Sequence, residues 1–418
     1  MIKLLIAADD FTGALDSGAQ FAKQGIKTLV TTDTDIDFAG VDSGFEVLAV
    51  DTQTRHMPAA GAYNVVRGLV KRASENGISH IYKKTDSTLR GNIGAELAGV
   101  LDGTGLDRLM FIPAFPDSGR TTKNGIQSVY GVPVSESHFA SDPLNPLTTS
   151  YIPDIIRQYS NTNTTVISSA HVPLYKDVCG ISVFDSETNE DLSAIGRVLS
   201  RLGQTKLLAG CAGFAGVLQG ILDFSRYRPE TAPAGDNILI VSGSINNVSL
   251  SQMKYAREHG YMGVSLTPEQ KFDIGYPDKP YSINLISGIR EALLKTRLAY
   301  LEASENIAAV TESTLYAREH NLPEDSLHTI IADRLGTITK QVIKSCKVDN
   351  LFVFGGDTAL GIMTKLGVKE LIPLHELCSG VVISKIRSSQ YDLNLITKAG
   401  GLGPEDISVI ATERLLKS

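Results

Sequence analysis

The 418-residue chain has no apolar run approaching the roughly 20 residues that a membrane-crossing helix needs, so a helical membrane protein is not expected. The apolar stretch at Met1 to Ala8 is too short for a signal peptide and passes at once into Asp9-Asp10, which places the chain in the cytoplasm by expectation. Cysteine is scarce. Cys179, Cys211, Cys346 and Cys378 lie far apart, with no C-x-x-C pair and no histidine at zinc spacing, and are expected as reduced structural thiols. Excess positive charge is also missing: the formal charge is −7, which argues against a nucleic-acid surface. Two nucleotide signatures are absent as well. G-x-x-x-x-G-K-[ST] does not occur and no G-x-G-x-x-G follows the first apolar run, so neither a P-loop enzyme nor a simple dinucleotide enzyme is indicated.

What is present reads as an α/β protein. A chain of this length exceeds one ordinary core, and 42% hydrophobic with 20% charged residues is the composition of a globular protein of two or three domains. Apolar runs at Ile2 to Ala7, Lys27 to Thr32, Phe45 to Val50, Ile78 to Lys83 and Arg108 to Ile112 alternate with amphipathic stretches such as Ala14 to Gln24 and Tyr63 to Asn76. This alternation predicts a largely parallel sheet with helices on its faces, and ligands outside the carboxyl ends of the strands. Gly119 to Pro146, rich in Gly, Ser, Pro and Asn, is expected to be a long loop or lid; Arg120, Lys123, His138 and Asp142 in it could each touch a ligand, but the expectation for any one of them is a solvated loop residue. Ser225 to Asn237 reads as a linker, which gives domains at 1–228 and 236–418. In the second half, strands are expected at Ile238 to Val241, Tyr261 to Leu266, Ile307 to Val310, Leu351 to Phe354 and Leu393 to Thr397.

The richest stretch is Lys84 to Gly94, Lys-Thr-Asp-Ser-Thr-Leu-Arg-Gly-Asn-Ile-Gly, expected at a strand-to-helix turn. It suits a small polyhydroxylated acid, with Lys84 or Arg90 for the carboxylate, Asp86, Ser87 and Asn92 for hydroxyls, and Gly91 for close backbone approach. A solvated loop with Asp86 or Ser87 as a helix cap is the alternative. Asp9, Asp10 and Arg55 fall at neighbouring strand ends, which favours a polar acid site. Gly210 to Gly216, small residues opening a helix, could cradle an anion or simply let that helix pack closely. In the second half, Ser242-Gly243-Ser244, Gly355-Gly356-Asp357-Thr358 and Lys398-Ala399-Gly400-Gly401-Leu402-Gly403 each follow an expected strand. Turns of this kind present backbone N–H groups to phosphate oxygens, and Asp357 could hold Mg²⁺ through water or cap the next helix. An acid site and a phosphate site on two halves is the layout of a small-molecule kinase whose cleft closes on its substrates.

Taken in order, Ile6 to Ala14, Lys84 to Gly94, Pro113-Ala114-Phe115-Pro116, Asp142-Pro143, Ser242 to Ser244, Gly355 to Ala359 and Lys398 to Gly401 resemble the four-carbon acid sugar kinase family over essentially the whole chain. The resemblance implies two α/β domains with largely parallel sheets and the active site in the cleft between them. It further implies acid-sugar binding by the first half and ATP binding by the second. The expected reaction is ATP-dependent phosphorylation of D-threonate, D-erythronate or a 3-oxo-tetronate at its terminal hydroxyl, O4. Substrate-binding residues are then Asp9, Asp10, Arg55, Lys84, Asp86, Ser87, Arg90, Gly91 and Asn92, with Asp10, Asp86 and Arg90 catalytic and Asp10 preferred to Asp86 as the base. Ser242, Gly243, Ser244, Gly355, Gly356, Asp357, Thr358, Gly400, Gly401 and Gly403 would line the nucleotide, and Asp357 would hold Mg²⁺. Cys211, Phe214, Ala399 and Leu402 depart from the family's usual Ser, Leu, Ser and Phe. Rival readings are another sugar kinase, an NAD-dependent hydroxy-acid dehydrogenase and a non-catalytic sugar-acid sensor. No nucleic-acid or membrane partner is expected; a homo-oligomer is open, since no stretch marks an interface.

Overall fold

The computed structural model describes residues 1–142, 145–176, 178–273, 275–276 and 282–416. The chain divides into two compact units, Met1–Pro229 and Glu230–Ser418.

In the first unit the sheet strands are β1 (Leu4–Ala8), β2 (Thr28–Thr31), β3 (Val47–Asp51), β4 (His80–Lys84) and β5 (Arg108–Ile112). A small antiparallel sheet of β6 (Arg120–Lys123), β7 (Ile126–Val129) and β8 (Val132–Pro133) follows. Strands β9 (Thr164–Ile167), β10 (Gly180–Phe184) and β11 (Leu207–Gly210) complete the unit. The main sheet runs β2-β3-β1-β4-β11-β5-β10-β9, with every pairing parallel. Strands β1 and β3 are buried at every position, because helices cover both faces and leave no side of the pleat to water. The helices are α1 (Phe11–Ala22), α2 (Ala59–Glu75), α3 (Ile93–Thr104), α4 (Ile152–Arg157), α5 (Asn189–Arg201) and α6 (Ala212–Ile221). The chain leaves β1 toward β2 and leaves β4 toward the other edge, so the crevice outside the carboxyl ends of β1 and β4 is the switch point of this sheet.

The second unit contains β12 (Ile238–Ser242), β13 (Met262–Ser265), β14 (Leu298–Glu302), β15 (Asn350–Phe354), β16 (Glu370–Cys378), β17 (Val381–Ile386) and β18 (Asn394–Lys398). Their order is β13-β14-β12-β15-β18-β17-β16, parallel as far as β18 and antiparallel beyond it. Helices α7 (Asn247–Glu258), α8 (Pro268–Phe272), α9 (Ser282–Thr296), α10 (Ile307–Glu319), α11 (Leu327–Ser345), α12 (Gly356–Leu366) and α13 (Ile407–Leu415) surround it. One core packs Ile240, Met253, Phe352, Phe354, Ile383 and Ile407 together. The switch point lies between β12 and β15.

Two sequence expectations are overturned. The segment from Gly119 is no featureless lid: Asn124 and Gly125 both adopt positive φ (52° and 72°) and close a two-residue β6–β7 hairpin, and Tyr130-Gly131 closes the next. Pro143 and Leu144 of that segment, and 274 and 277–279 of the charged stretch after Thr267, lie outside the described residues. The run at Ile307 to Val310 is the first turn of α10, because the Asn306 side chain accepts a hydrogen bond from the Ala309 N–H and caps a helix there; the strand of this region is β14, just upstream. Strands β10, β16 and β17 were likewise not expected.

Candidate active site

At the first switch point, β1 delivers Asp9 and Asp10, β3 delivers Asp51 and, four residues on, Arg55, and β4 delivers Lys84 and Asp86. Asp10 caps α1: its Oδ1 accepts from the Gly13 N–H (3.0 Å) and its Oδ2 from the Thr12 hydroxyl (2.7 Å). Arg55 reaches across to donate to Asp9 (2.8 Å) and Asp10 (2.7 Å), with Asp86 3.8 Å away. Gly13 is required for this arrangement, since a Cβ there would stand 2.5 Å from the Asp10 carboxylate and 2.6 Å from the Lys84 ammonium. Gly91, at φ +91°, lets the Arg55 chain pass beside it.

Arg90 grips Asp86 with two guanidinium nitrogens (2.8 and 3.2 Å) and extends a third to Asp142 (3.0 Å); Thr88 also donates to Asp86. Burial alone would raise the Asp86 carboxyl, but Arg90 and Arg55 outweigh it and hold the group well below the usual carboxylate range. Asp10 is held below its ordinary value in the same way, burial being overcome by Arg55 and Lys84. Lys84 is 5% exposed, and Asp9 and Asp10 keep its ammonium charged against the cost of burial. Asp51 goes the other way: burial, reinforced by Asp10, pushes it up to about 8.

The alternation of β4 sends Lys83 to the opposite side of the pleat, where it meets Glu96 of α3 at 3.1 Å, both fully buried. Glu96 also accepts from Thr54, which ties α3 to the Arg55 loop.

Most predicted acid-site residues are thus brought together, with some changes of role. Both amide N–H groups of Asn92 are spent on the Thr54 and Met57 carbonyls at 2.8 Å, so Asn92 anchors the Arg55 loop and cannot donate to a ligand hydroxyl. Ser87 is held by its carbonyl, which accepts from Gln127 of β7 at 2.8 Å. Gln127 brings the small antiparallel sheet against the Asp86 to Arg90 loop, and with it Arg120 and Asp142, neither of which is a solvated loop residue. Lys123 does point outward, to Glu187. The Asn-Gly dipeptide was the signal that could have revealed this sheet.

In the second unit, the Ser242 to Ser244 turn, the Gly355 to Thr358 turn and the Gly400-Gly401 turn follow β12, β15 and β18, adjacent parallel strands, and meet at the switch point. A Cβ on Gly400 would lie 2.6 Å from the Ser244 hydroxyl oxygen, one on Gly243 would overlap Thr358 Oγ1, and Gly355 has φ +106°. This floor is backbone. The cradle fits phosphate oxygens, and the exposed Asp357 in the first turn of α12 fits an Mg²⁺ shared with those phosphates, which usually needs one or two carboxylates only. Gly403 stands apart from these turns; its carbonyl accepts from Gln252 of α7 at 3.0 Å and braces the loop. Lys398, missed as a site residue, lies beneath the Gly400 turn, donating to Ser249 Oγ (3.0 Å) and the Gly400 carbonyl (3.2 Å), and burial pushes its amine down to about 7. No group of three or more His, Cys, Asp or Glu among the described residues could hold a metal by itself. None of the described helices is long and apolar enough to cross a membrane.

Comparison with known proteins matches both units. Residues 4–218 fit the family model of a sugar-binding N-terminal domain, and residues 239–407 that of a nucleotide-binding C-terminal domain. D-threonate kinase of Salmonella typhimurium is 30% identical, over 97% of this chain and 96% of its own. D-erythronate kinase of Heliobacterium modesticaldum is 26% identical over 100% and 98%, and 3-oxo-tetronate kinase of Escherichia coli 24% over 88% and 96%. Among solved structures, the Haemophilus influenzae protein HI1011 superposes with a TM-score of 0.74 at 22% identity, covering 99% of this chain and 100% of its own, which speaks for the fold. With a domain model matched in each unit and a relative 30% identical over nearly the full length of both chains, the chain belongs to the four-carbon acid sugar kinase family.

Proposed function

We propose that the protein is an ATP-dependent kinase that phosphorylates the terminal hydroxyl, O4, of a four-carbon sugar acid, with Mg²⁺ on the nucleotide phosphates. The observation that carries the reading is the contrast of linings at the two switch points: carboxylates and cations in one unit, glycine backbone and hydroxyls in the other. The first suits a small polyhydroxylated anion, the second a polyphosphate. Curated relatives named as kinases of D-threonate, D-erythronate and 3-oxo-tetronate support the substrate class.

In this reading Lys84 faces the acid's carboxylate, and Asp10 orients the O4 hydroxyl and accepts its proton late in transfer. A weakly basic aspartate is adequate there, because phosphoryl transfer depends chiefly on positioning and charge stabilisation. Asp86, doubly bound to Arg90, is the second choice for that role. The Ser244, Gly355 and Gly400 turns hold the phosphates and Asp357 holds Mg²⁺, which neutralises developing charge when bound.

A coupled ADP-release assay with ATP, Mg²⁺ and a panel of D-threonate, D-erythronate, L-threonate and 3-oxo-tetronates tests the reading. Release with one acid, and a phosphorus NMR signal from its O4 ester, is expected. Acid binding by calorimetry without ADP release would instead favour a sensor.

A further inference from the structure

The proposed acid site has a charge problem. Asp9, Asp10 and Asp86 are held by Arg55, Arg90 and Lys84, Arg90 also reaches Asp142, and Lys83 is consumed by Glu96, which leaves four carboxylates to three cations in this cluster of described residues. The cluster is therefore net negative, and its two arginines are already bound to aspartates at 2.7 to 3.0 Å. An incoming carboxylate would meet repulsion rather than attraction, unless a further cation stands nearby.

One does, on the antiparallel sheet. Arg120 is 7% exposed and makes no ion pair with a described residue. Among the described residues its guanidinium makes one hydrogen bond, from Nη1 to the Ser118 carbonyl, and its buried Nε has no partner. A buried guanidinium without an anion is costly, so the arrangement is one that a bound anion completes. Its direction is fixed by the sheet. Arg120 and Thr122 lie on one face of β6, Thr122 bonds Gln127 at 2.7 Å, and Gln127 bonds the Ser87 carbonyl within the Asp86 to Arg90 loop. The Phe139 ring lies 5.6 Å from the Arg120 guanidinium carbon and 5.4 Å from that of Arg90, so one ring serves both arginines.

We propose that Arg120 binds the carboxylate of the sugar acid together with Lys84, and that Arg90 and Arg55 are positioning residues which hold Asp86, Asp9 and Asp10. The proposal rests on the kinase reading above and names the group that supplies its acid selectivity. The free Nε and the guanidinium plane suit a two-point grip on a carboxylate, which a point-charge ammonium cannot reproduce.

The test is steady-state kinetics of Arg120→Gln with the acid the wild type uses. Loss of one charge-assisted contact should raise KM for the acid about 10- to 100-fold, with kcat changed less than threefold and KM for ATP unchanged. An unchanged KM for the acid overturns the proposal. So does a fall in kcat with both KM values rising together, which is the signature of a brace that merely supports Phe139. Should Arg120→Gln fail to fold, Arg120→Lys decides: KM for the acid up about tenfold at wild-type melting temperature supports the grip, and a wild-type KM overturns it. If the wild type phosphorylates no sugar acid, the kinase reading falls first and this inference with it.

Discussion

The two units build their sites on one framework and line them with opposite materials. In each, the first strand lies inside the sheet between the third and fourth, β3-β1-β4 in one and β14-β12-β15 in the other, so the same crevice opens outside the carboxyl ends. At that crevice the first unit carries Asp9, Asp10, Lys84 and Asp86, the second Gly243, Ser244, Gly355 and Gly356. Topology sets where a ligand sits; residue type at a few strand ends sets which ligand. A site made of side chains should fail when atoms are removed, and a site made of backbone when atoms are added.

The largest expected effect comes from removing a charge in the first unit. Asp10→Asn keeps an oxygen to cap α1, so the fold should survive, but kcat should fall about 10²- to 10³-fold; near-normal turnover would eliminate Asp10 as the base. Adding atoms in the second unit should do the complementary damage. Gly400→Leu forces a Cβ to within 2.6 Å of the Ser244 hydroxyl, and ADP affinity by calorimetry should drop roughly 10- to 100-fold while KM for the acid holds. Equal damage to both substrates would dissolve the distinction between the two linings.

A smaller effect concerns stability. Asp51 rises from 3.8 to about 8 on folding, through burial and Asp10, so its contribution is full below pH 4 and is lost as pH climbs toward 8. Denaturant titrations should find that wild type loses stability between pH 4 and pH 8 while Asp51→Asn, no more stable than wild type at pH 4, does not and so ends ahead at pH 8. Parallel pH profiles would mean that Asp51 stays ionised. The smallest effect lies in the second unit, where Lys398 is the cation beneath the phosphate cradle. Since burial lowers it to about 7, with Cys378 opposing that shift, ADP should bind severalfold more weakly at pH 8.5 than at pH 6. Lys398→Met should flatten that profile; an unaltered slope would assign it to the nucleotide's own titration.

How much of this was legible follows from the kind of signal each element leaves. Strands β1 and β12 are continuous apolar runs ending in polar turns, and their positions could be read directly. The Ile307-Ala-Ala-Val310 run is too short for periodicity to separate strand from helix, and Asn306 was the deciding residue. Strand β16 escaped because Pro373, His375 and Glu376 break the pattern of a buried strand, which the sheet tolerates through irregular register at those places. At the site, the identity of the charged residues was legible and their pairing was not. That Arg55 serves Asp9, Asp10 and Asp86 depends on the spacing of β1, β3 and β4, which no local pattern records.

The placement of β11 bears on how the chain acquires its site. Made after residue 200, β11 inserts between β4 and β5 rather than at an edge, and the Gly210 carbonyl accepts from the Thr85 N–H at the root of the acid loop. Until then β4 and β5 both present open edges, so most of the first unit can emerge from the ribosome while its sheet stays split. Such long-range closure is slow, and a chain truncated before Leu207 should aggregate. β18 repeats the arrangement, entering between β15 and β17 near the end of synthesis. In both units the last interior strand, and the turn it carries, commits the sheet.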